Sequence, residues 1–210
     1  MASPETTAAR RRSRGFAHVA LAFVIGFSLS ARLSPPAAGQ VMAGAEEVKA
    51  AFLVKLLGYT EWPPSSFEHA ESPLRVLVVG NEEVAQALEE VARRTSGING
   101  HPIEVVFERL PGRELRASDD VLEEARRSHA VYLEEDDRGR AIRFLEMLDK
   151  SDVLTVGGLP GFAASGGMIG LREEGRRIVF DANPQAIRSS SLQVSARVLQ
   201  LARVVHPGSS

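Results

Sequence analysis

Leu154–Asp181 reads LTVGGLPGFAASGGMIGLREEGRRIVFD, and it holds seven of the eighteen glycines of the 210-residue chain. A glycine-rich loop behind an apolar strand can cradle an anion, because bare backbone N–H groups surround the charge there. The spacing argues against that use. Gly161 and Gly166 have the first spacing of a P-loop, but Gly167 and Met168 stand where Lys and Ser or Thr are needed, and no GxGxxG occurs. Two short β-type runs, Met168–Leu171 and Arg177–Phe180, flank Glu173-Glu174-Gly175 and predict a hairpin in which Gly175 takes a positive φ. A loop that feeds a strand offers no helix N-terminus to an anion. The stretch therefore predicts a structural turn that delivers a hairpin.

Upstream, strands and helices alternate. Glu46–Tyr59 predicts a helix with Val48, Ala51, Phe52, Leu56 and Tyr59 on its inner face and two acids in its first turn, stopped by Trp62-Pro63-Pro64. Leu74–Val79 is a nearly continuous β-branched run, the form of a strand buried on both faces. Asn81 caps a helix from Glu82 to about Arg94, lined by Val84, Leu88 and Val91. Further strands are expected at Ile103–Phe107, His129–Leu133 and Val153–Val156, with a short helix capped by Ser118 and a longer one over Arg138–Lys150 between them. Downstream of the hairpin, Asn183 caps and Pro184 opens a broken helical region to about Val205, striped by Val194, Val198, Leu201 and Val205. Such alternation implies right-handed βαβ crossovers. The expected fold is α/β: a three-layer α/β/α sandwich with a largely parallel sheet, a C-terminal β-hairpin and a helix.

Residues 1–45 read as a signal peptide and leader, and 46–206 as a single domain. Arg10, Arg11, Arg12 and Arg14 form a basic n-region and Gly15–Ser30 an apolar h-region. Ala43-Gly44-Ala45, or its rival Ala37-Ala38-Gly39, would be the cleavage site. The apolar run is shorter than the roughly 20 residues of a membrane span, so export outranks an uncleaved anchor. Without 1–45 the chain carries 20 basic and 26 acidic residues, a formal −6. That sign argues against nucleic acid and anionic membranes as partners, since both need a basic face. Cysteine is absent, which excludes thiolate catalysis, thiolate metal sites and disulfides within the chain. The domain must stand on its core, and about 165 residues can bury roughly 68–70% of their unfolded surface.

Ligands of such sheets favour the crevice beyond the carboxyl ends of the strands. Those ends supply Gly80-Asn81, Glu108-Arg109, Glu134-Glu135-Asp136-Asp137 and Gly157-Gly158. The acidic quartet could hold Mg²⁺ or Ca²⁺, but the plainer reading is a solvated connection whose Asp136 and Asp137 favour the next helix N-terminus. His69, His101, His129 and His206 never pair at helical spacing, and His129, opening a strand, reads as a hydrogen-bonded structural residue. Ser165 nearly matches a G-x-S-x-G elbow but lacks its first glycine and its following helix. Trp62, the sole tryptophan, packs the helix end against the sheet or, if partly exposed, anchors a partner. No catalytic, metal or cofactor-binding residue is assigned. The candidates for contact with a partner or ligand are Trp62, Asn81, Gly161 and Phe162.

Several segments, in order, resemble the YfiR family of secreted bacterial proteins: Val48–Leu53 running to Glu61-Trp62-Pro63, Leu74–Gly80, Val153–Val156, Gly161-Phe162 with Gly166–Ile169, Phe180–Asn183, Leu192–Ser195 and Val198–Ala202. The resemblance covers about 46–205. It implies a non-catalytic periplasmic regulator, an α/β protein that dimerises. Such a regulator holds a membrane-bound diguanylate cyclase inactive from the periplasmic side and is released by an outer-membrane lipoprotein. It would thereby set cyclic-di-GMP output, biofilm formation and motility. Family members that link folding to redox state do so through cysteines. This chain has none, so any homodimer is non-covalent. A sensor kinase is the alternative membrane partner of such a regulator. Two other readings stay open: a periplasmic small-ligand module using the crevice near Asn81 and Gly157–Gly161, and a secreted hydrolase built on Ser165 or the acidic quartet.

Overall fold

Helix α1, Ala45–Gly58, is the first element of the computed structural model, which describes residues 44–206 apart from 118, 149–150 and 176. Nearly all of the expected leader, and the expected Ser118 cap, lie outside those residues. The carboxylate of Glu47 accepts from the Gly44 N–H at 2.8 Å, closing the first turn. The expected inner face of α1 is corrected. Lys49, Ala50, Leu53, Leu56 and Leu57 are buried, while Ala51 and Tyr59 are exposed. AEEVKAAFLVKLLG is apolar on nearly every side, so its periodicity carries little direction. The stripe that brings Lys49 to an acidic partner is the one turned inward.

The chain continues through β1 (Thr60–Glu61) and a single 3₁₀ turn at Pro64–Ser66 to β2 (Leu74–Val79). Helix α2 (Glu82–Arg94) starts where expected, with Asn81 Oδ1 accepting from the Val84 N–H at 3.0 Å. Then follow β3 (Ile103–Glu108), α3 (Asp120–Arg127), β4 (Ala130–Leu133), α4 (Arg138–Leu148) and β5 (Leu154–Gly157). The hairpin is β6 (Ile169–Glu174) and β7 (Arg177–Ala182), antiparallel in the register Leu171↔Phe180, with Gly175 at φ +62° in its turn.

Among the described residues, seven strands form one sheet in the order β3-β2-β4-β5-β6-β7-β9, with β9 (Arg203–Val204) at its edge. The first five are parallel, as crossover connections between them require. Helices α1 and α2 cover one face, over Val76, Val78, Tyr132, Leu154 and Val156. Helices α3 and α4 cover the other, over Leu77, Val79, Val131 and Leu133. The three-layer α/β/α architecture with a mostly parallel sheet is thus as the sequence reads. Because α2 leaves β2 on one face of the sheet and α4 leaves β4 on the other, a crevice opens beyond the carboxyl ends of β2 and β4.

The C-terminal region is a second correction. Instead of a broken helix it holds α5 (Pro184–Arg188), β8 (Gln193–Val194), α6 (Ala196–Leu199) and β9. Asn183 does cap α5, its Oδ1 accepting from Gln185 and Ala186 N–H at 3.1 Å. Helical runs of four or five residues close too few hydrogen bonds to propagate. The backbone of β8 instead pairs antiparallel with β1, a partner no local pattern announces. Leu201, placed by periodicity on the apolar stripe, is 79% exposed.

Candidate functional site

At the carboxyl end of β4 the chain turns out of the sheet at Glu134, and the polar groups of the crevice converge on its carboxylate. Lys49 Nζ donates to it from α1 at 3.0 Å, Asn81 Nδ2 from the start of α2 at 2.9 Å, and the Tyr132 hydroxyl from β4 at 2.6 Å. Two glycines make room. A Cβ at Gly158, just after β5, would lie 2.7 Å from the Glu134 carboxyl carbon. Gly80, after β2, has φ +91°, and a Cβ there would meet the Glu134 carbonyl oxygen at 2.1 Å. No L-residue side chain fits that approach or favours that backbone. One carboxylate therefore ties α1, the β2–α2 junction and β4 together.

The electrostatics hold Lys49 charged and Tyr132 neutral. Burial works against the Lys49 ammonium, but its hydrogen bond and charge pairing with Glu134, with Glu173 and Glu46 behind, outweigh the cost and raise its pKa. Tyr132 is driven far above the ordinary phenol value, first by burial and then by the neighbouring Glu134 charge. It is a fixed donor, not a base. Lys49, Asn81 and Tyr132 each donate to the Glu134 carboxylate.

Glu134 also lies on the wall between two cavities. One, of about 810 Å³, opens between Asn81, Glu83, Gln86, Arg109, Asp136 and Arg140. The other, of about 290 Å³, lies between Lys49, Gly158, Pro160, Arg172 and Glu173. The acidic quartet is thereby divided. Glu134 is sequestered, Glu135 pairs with Arg140 at 3.5 Å, and Asp137 Oδ1 caps α4 by accepting from the Arg140 N–H at 3.1 Å. Among the described residues no group of three or more His, Cys, Asp or Glu is placed to hold a metal ion.

The other sequence candidates are dispersed. Ser165 Oγ accepts from Arg138 Nη2 at 3.0 Å, and a guanidinium cannot take its proton. Gly161, at φ +73°, sits beside the same arginine. Phe162 is only 2% exposed, its ring lying against Gly157 and Gly167, so it supports the glycine-rich loop from beneath rather than offering a surface. Asn81 borders the larger cavity, and its amide is already committed to Glu134. Trp62 is half-buried against the α1 side of the core, its indole N–H donating to the His129 carbonyl at 2.8 Å. Sequence reasoning missed Lys49 and Tyr132 and underread Glu134. The available signal was Lys49, a cation set within the apolar run of α1 a turn after Glu46.

At the opposite end of β2, His129 Nδ1 accepts from the Arg75 N–H at 3.0 Å and its Nε2 donates to the Ser66 carbonyl at 3.1 Å. Phe67 is stacked between this ring and that of His101, with centroids 4.3 and 4.0 Å away. Burial is the largest cause and depresses the His129 pKa; the hydrogen bond to the Ser66 carbonyl opposes it, and the weaker charge effects of His101 and Arg75 add to the depression. A second proton would also sit on Nδ1, facing the Arg75 N–H. The unfolded chain then binds that proton more readily than the folded one, so this contribution to stability is complete above about pH 6.5 and is lost as the pH falls through the folded value. The melting temperature is expected to drop between about pH 7 and pH 5, and His129→Gln, whose amide supplies both an acceptor and a donor, should flatten that slope. An unchanged slope in the variant would assign the acid sensitivity elsewhere.

A family model described as YfiR/HmsC-like matches residues 46–203, from the first turn of α1 into β9. The chain belongs to the YfiR/HmsC-like family. Within this YfiR/HmsC-like chain, the matched span contains all of the Lys49–Glu134–Tyr132 cluster and the whole hairpin. Among solved structures, it is similar to a conserved domain protein from Vibrio cholerae O1 biovar El Tor strain N16961 at 13% identity and a TM-score of 0.49. That match covers 76% of this chain and 60% of the other. Comparison with curated proteins gives no match. Among the described residues, no helix of this family member is long and apolar enough to cross a membrane.

Proposed function

We propose that this YfiR/HmsC-like protein is a non-catalytic periplasmic regulator. It restrains a membrane-bound signalling protein, a diguanylate cyclase, by direct contact on the periplasmic side. The family match over 46–203 carries the reading. The occupied polar cluster supports it, since Glu134, Lys49 and Tyr132 are held in place by one another rather than poised for chemistry. The product of such a cyclase forms in the cytoplasm, so influence passes through the membrane-spanning partner. The regulator need only bind the inactive partner better, and a hundredfold preference corresponds to about 2.7 kcal/mol. Release by an outer-membrane lipoprotein and assembly as a non-covalent homodimer belong to the same proposal. Deleting the gene should raise cellular cyclic-di-GMP and biofilm formation, and the partner should co-purify with the exported protein. Unchanged cyclic-di-GMP on deletion would sink the reading.

The 810 Å³ cavity at the β2–β4 crevice favours a second reading, a small-ligand sensor module, because open parallel sheets bind ligands at that position. Thermal stabilisation by a metabolite would support it, with the shift abolished by Arg109→Ala. No shift across a broad panel would count against it.

A further inference from the structure

Large apolar residues are exposed at Tyr59, Leu201 and Val204 among the described residues. Tyr59 and Leu201 share a groove of about 230 Å³ between the end of α1 and α6. Its floor is Phe52 and Phe180, with ring centroids 5.0 Å apart, and Val198 closes one side. That volume is below the usual range for a small-molecule site and suits one or two inserted side chains. Two exposed cations, Lys55 and Arg197, stand on the rim.

Many cations of the described residues are in ion pairs, although Arg116, Arg126, Arg138, Arg177 and Arg188 are not. Arg93 and Arg94 pair with Glu90, Arg109 with Glu82, Arg127 with Glu123, and Arg172 and Arg203 with Asp181. Among the described residues, neither Lys55 nor Arg197 has an ion-pair partner, in a chain that is acidic once residues 1–45 are set aside. An apolar slot between two unpaired cations is complementary to an apolar anchor flanked by carboxylates. A second copy docked symmetrically would bring each rim against the same positive rim, so the groove does not match itself.

We propose that this groove is where the protein seizes its protein partner, through a segment carrying an aromatic or aliphatic anchor between acidic residues. The proposal rests on the regulatory reading above and adds the surface and the chemistry of the contact. Two short synthetic peptides probe it, each with a single tryptophan, one flanked by glutamates and the other by lysines, titrated into the mature chain by fluorescence anisotropy and amide NMR shifts. The glutamate peptide should bind at least about tenfold more tightly, with shifts at Phe52, Tyr59, Val198 and Leu201. Lys55→Glu combined with Arg197→Glu should reverse that order. Leu201→Asp should abolish binding without changing the melting temperature, because Leu201 is 79% exposed. Equal binding of the two peptides, shifts confined to another surface, binding only to phosphatidylglycerol vesicles, or a dimer that buries Tyr59 and Leu201 would each overturn it. In cells, deletion separates the two ideas. If deletion raises cyclic-di-GMP while the charge-reversed protein still represses, the groove assignment fails and the regulatory reading stands. If deletion is silent, the regulatory reading fails and the peptide results decide the groove alone.

Discussion

Phe162→Ala is expected to lower the free energy of unfolding by about 3–5 kcal/mol, the range for truncating a fully buried aromatic. The ring does more than fill space. A Cβ at Gly157 would come within 2.4 Å of it and one at Gly167 within 2.1 Å, so the backbone on both sides has closed onto the phenyl group. The Asn183 amide meanwhile donates to the Ala163 carbonyl at 3.0 Å, tying the loop to the start of α5. Removing the ring leaves a cavity bounded by main chain, which cannot collapse by rotating side chains. Urea unfolding should show a lower midpoint at an unchanged slope. Gly167→Ala should be severely destabilising for the converse reason, since a methyl group there overlaps the ring. A loss under about 1 kcal/mol in Phe162→Ala would mean that the loop is held by something other than this residue.

Lys49→Met is expected to cost about 3 kcal/mol, the lower end for breaking a buried ion pair. The lower end applies because the Glu134 side chain keeps 25% of its exposure and water can answer part of its charge. Methionine replaces most of the lysine stem, so the loss reports the missing cation rather than missing volume. Glu134→Gln should be costly alone, because an amide cannot accept the Lys49, Asn81 and Tyr132 donors together. The double variant should be less destabilised than the two losses added, by at least about 1 kcal/mol, as partners in one network require. Strict additivity would show that Lys49 and Glu134 are neighbours without coupling.

The sheet was legible because its signals are local. LRVLVV at 74–79 has one reading as a doubly buried strand, and the helix starts at Asn81 and Asn183 are written in the capping residues themselves. The hairpin followed from Gly175 between two β-branched runs. What escaped was decided by distant contacts. The inner face of α1 depends on an acid 85 residues away from Lys49, and β8 exists only because β1 accepts it. The acidic quartet looked uniform in sequence, whereas its four members meet a buried lysine, a surface arginine, solvent and a helix end. The glycine-rich stretch read as a turn because its spacing failed a phosphate loop. Its cause is a phenyl ring that leaves no room for Cβ atoms above or below it.

The pairing of β1 with β8 has a temporal consequence. Thr60 aligns with Val194, and the Ser195 N–H donates to the Tyr59 carbonyl at 2.9 Å, so the end of the first helix is secured by residues near the far end of the chain. Ile187, Leu192 and Val198 lie in the same apolar cluster as that helix. A polypeptide delivered amino end first, whether from a ribosome or through a translocation pore, must hold α1 waiting until residue 195 has emerged. Contacts of such long sequence separation make folding slow and leave apolar surface uncovered in the interval. The last stage of delivery therefore completes the support of α1, after the main sheet strands have already emerged.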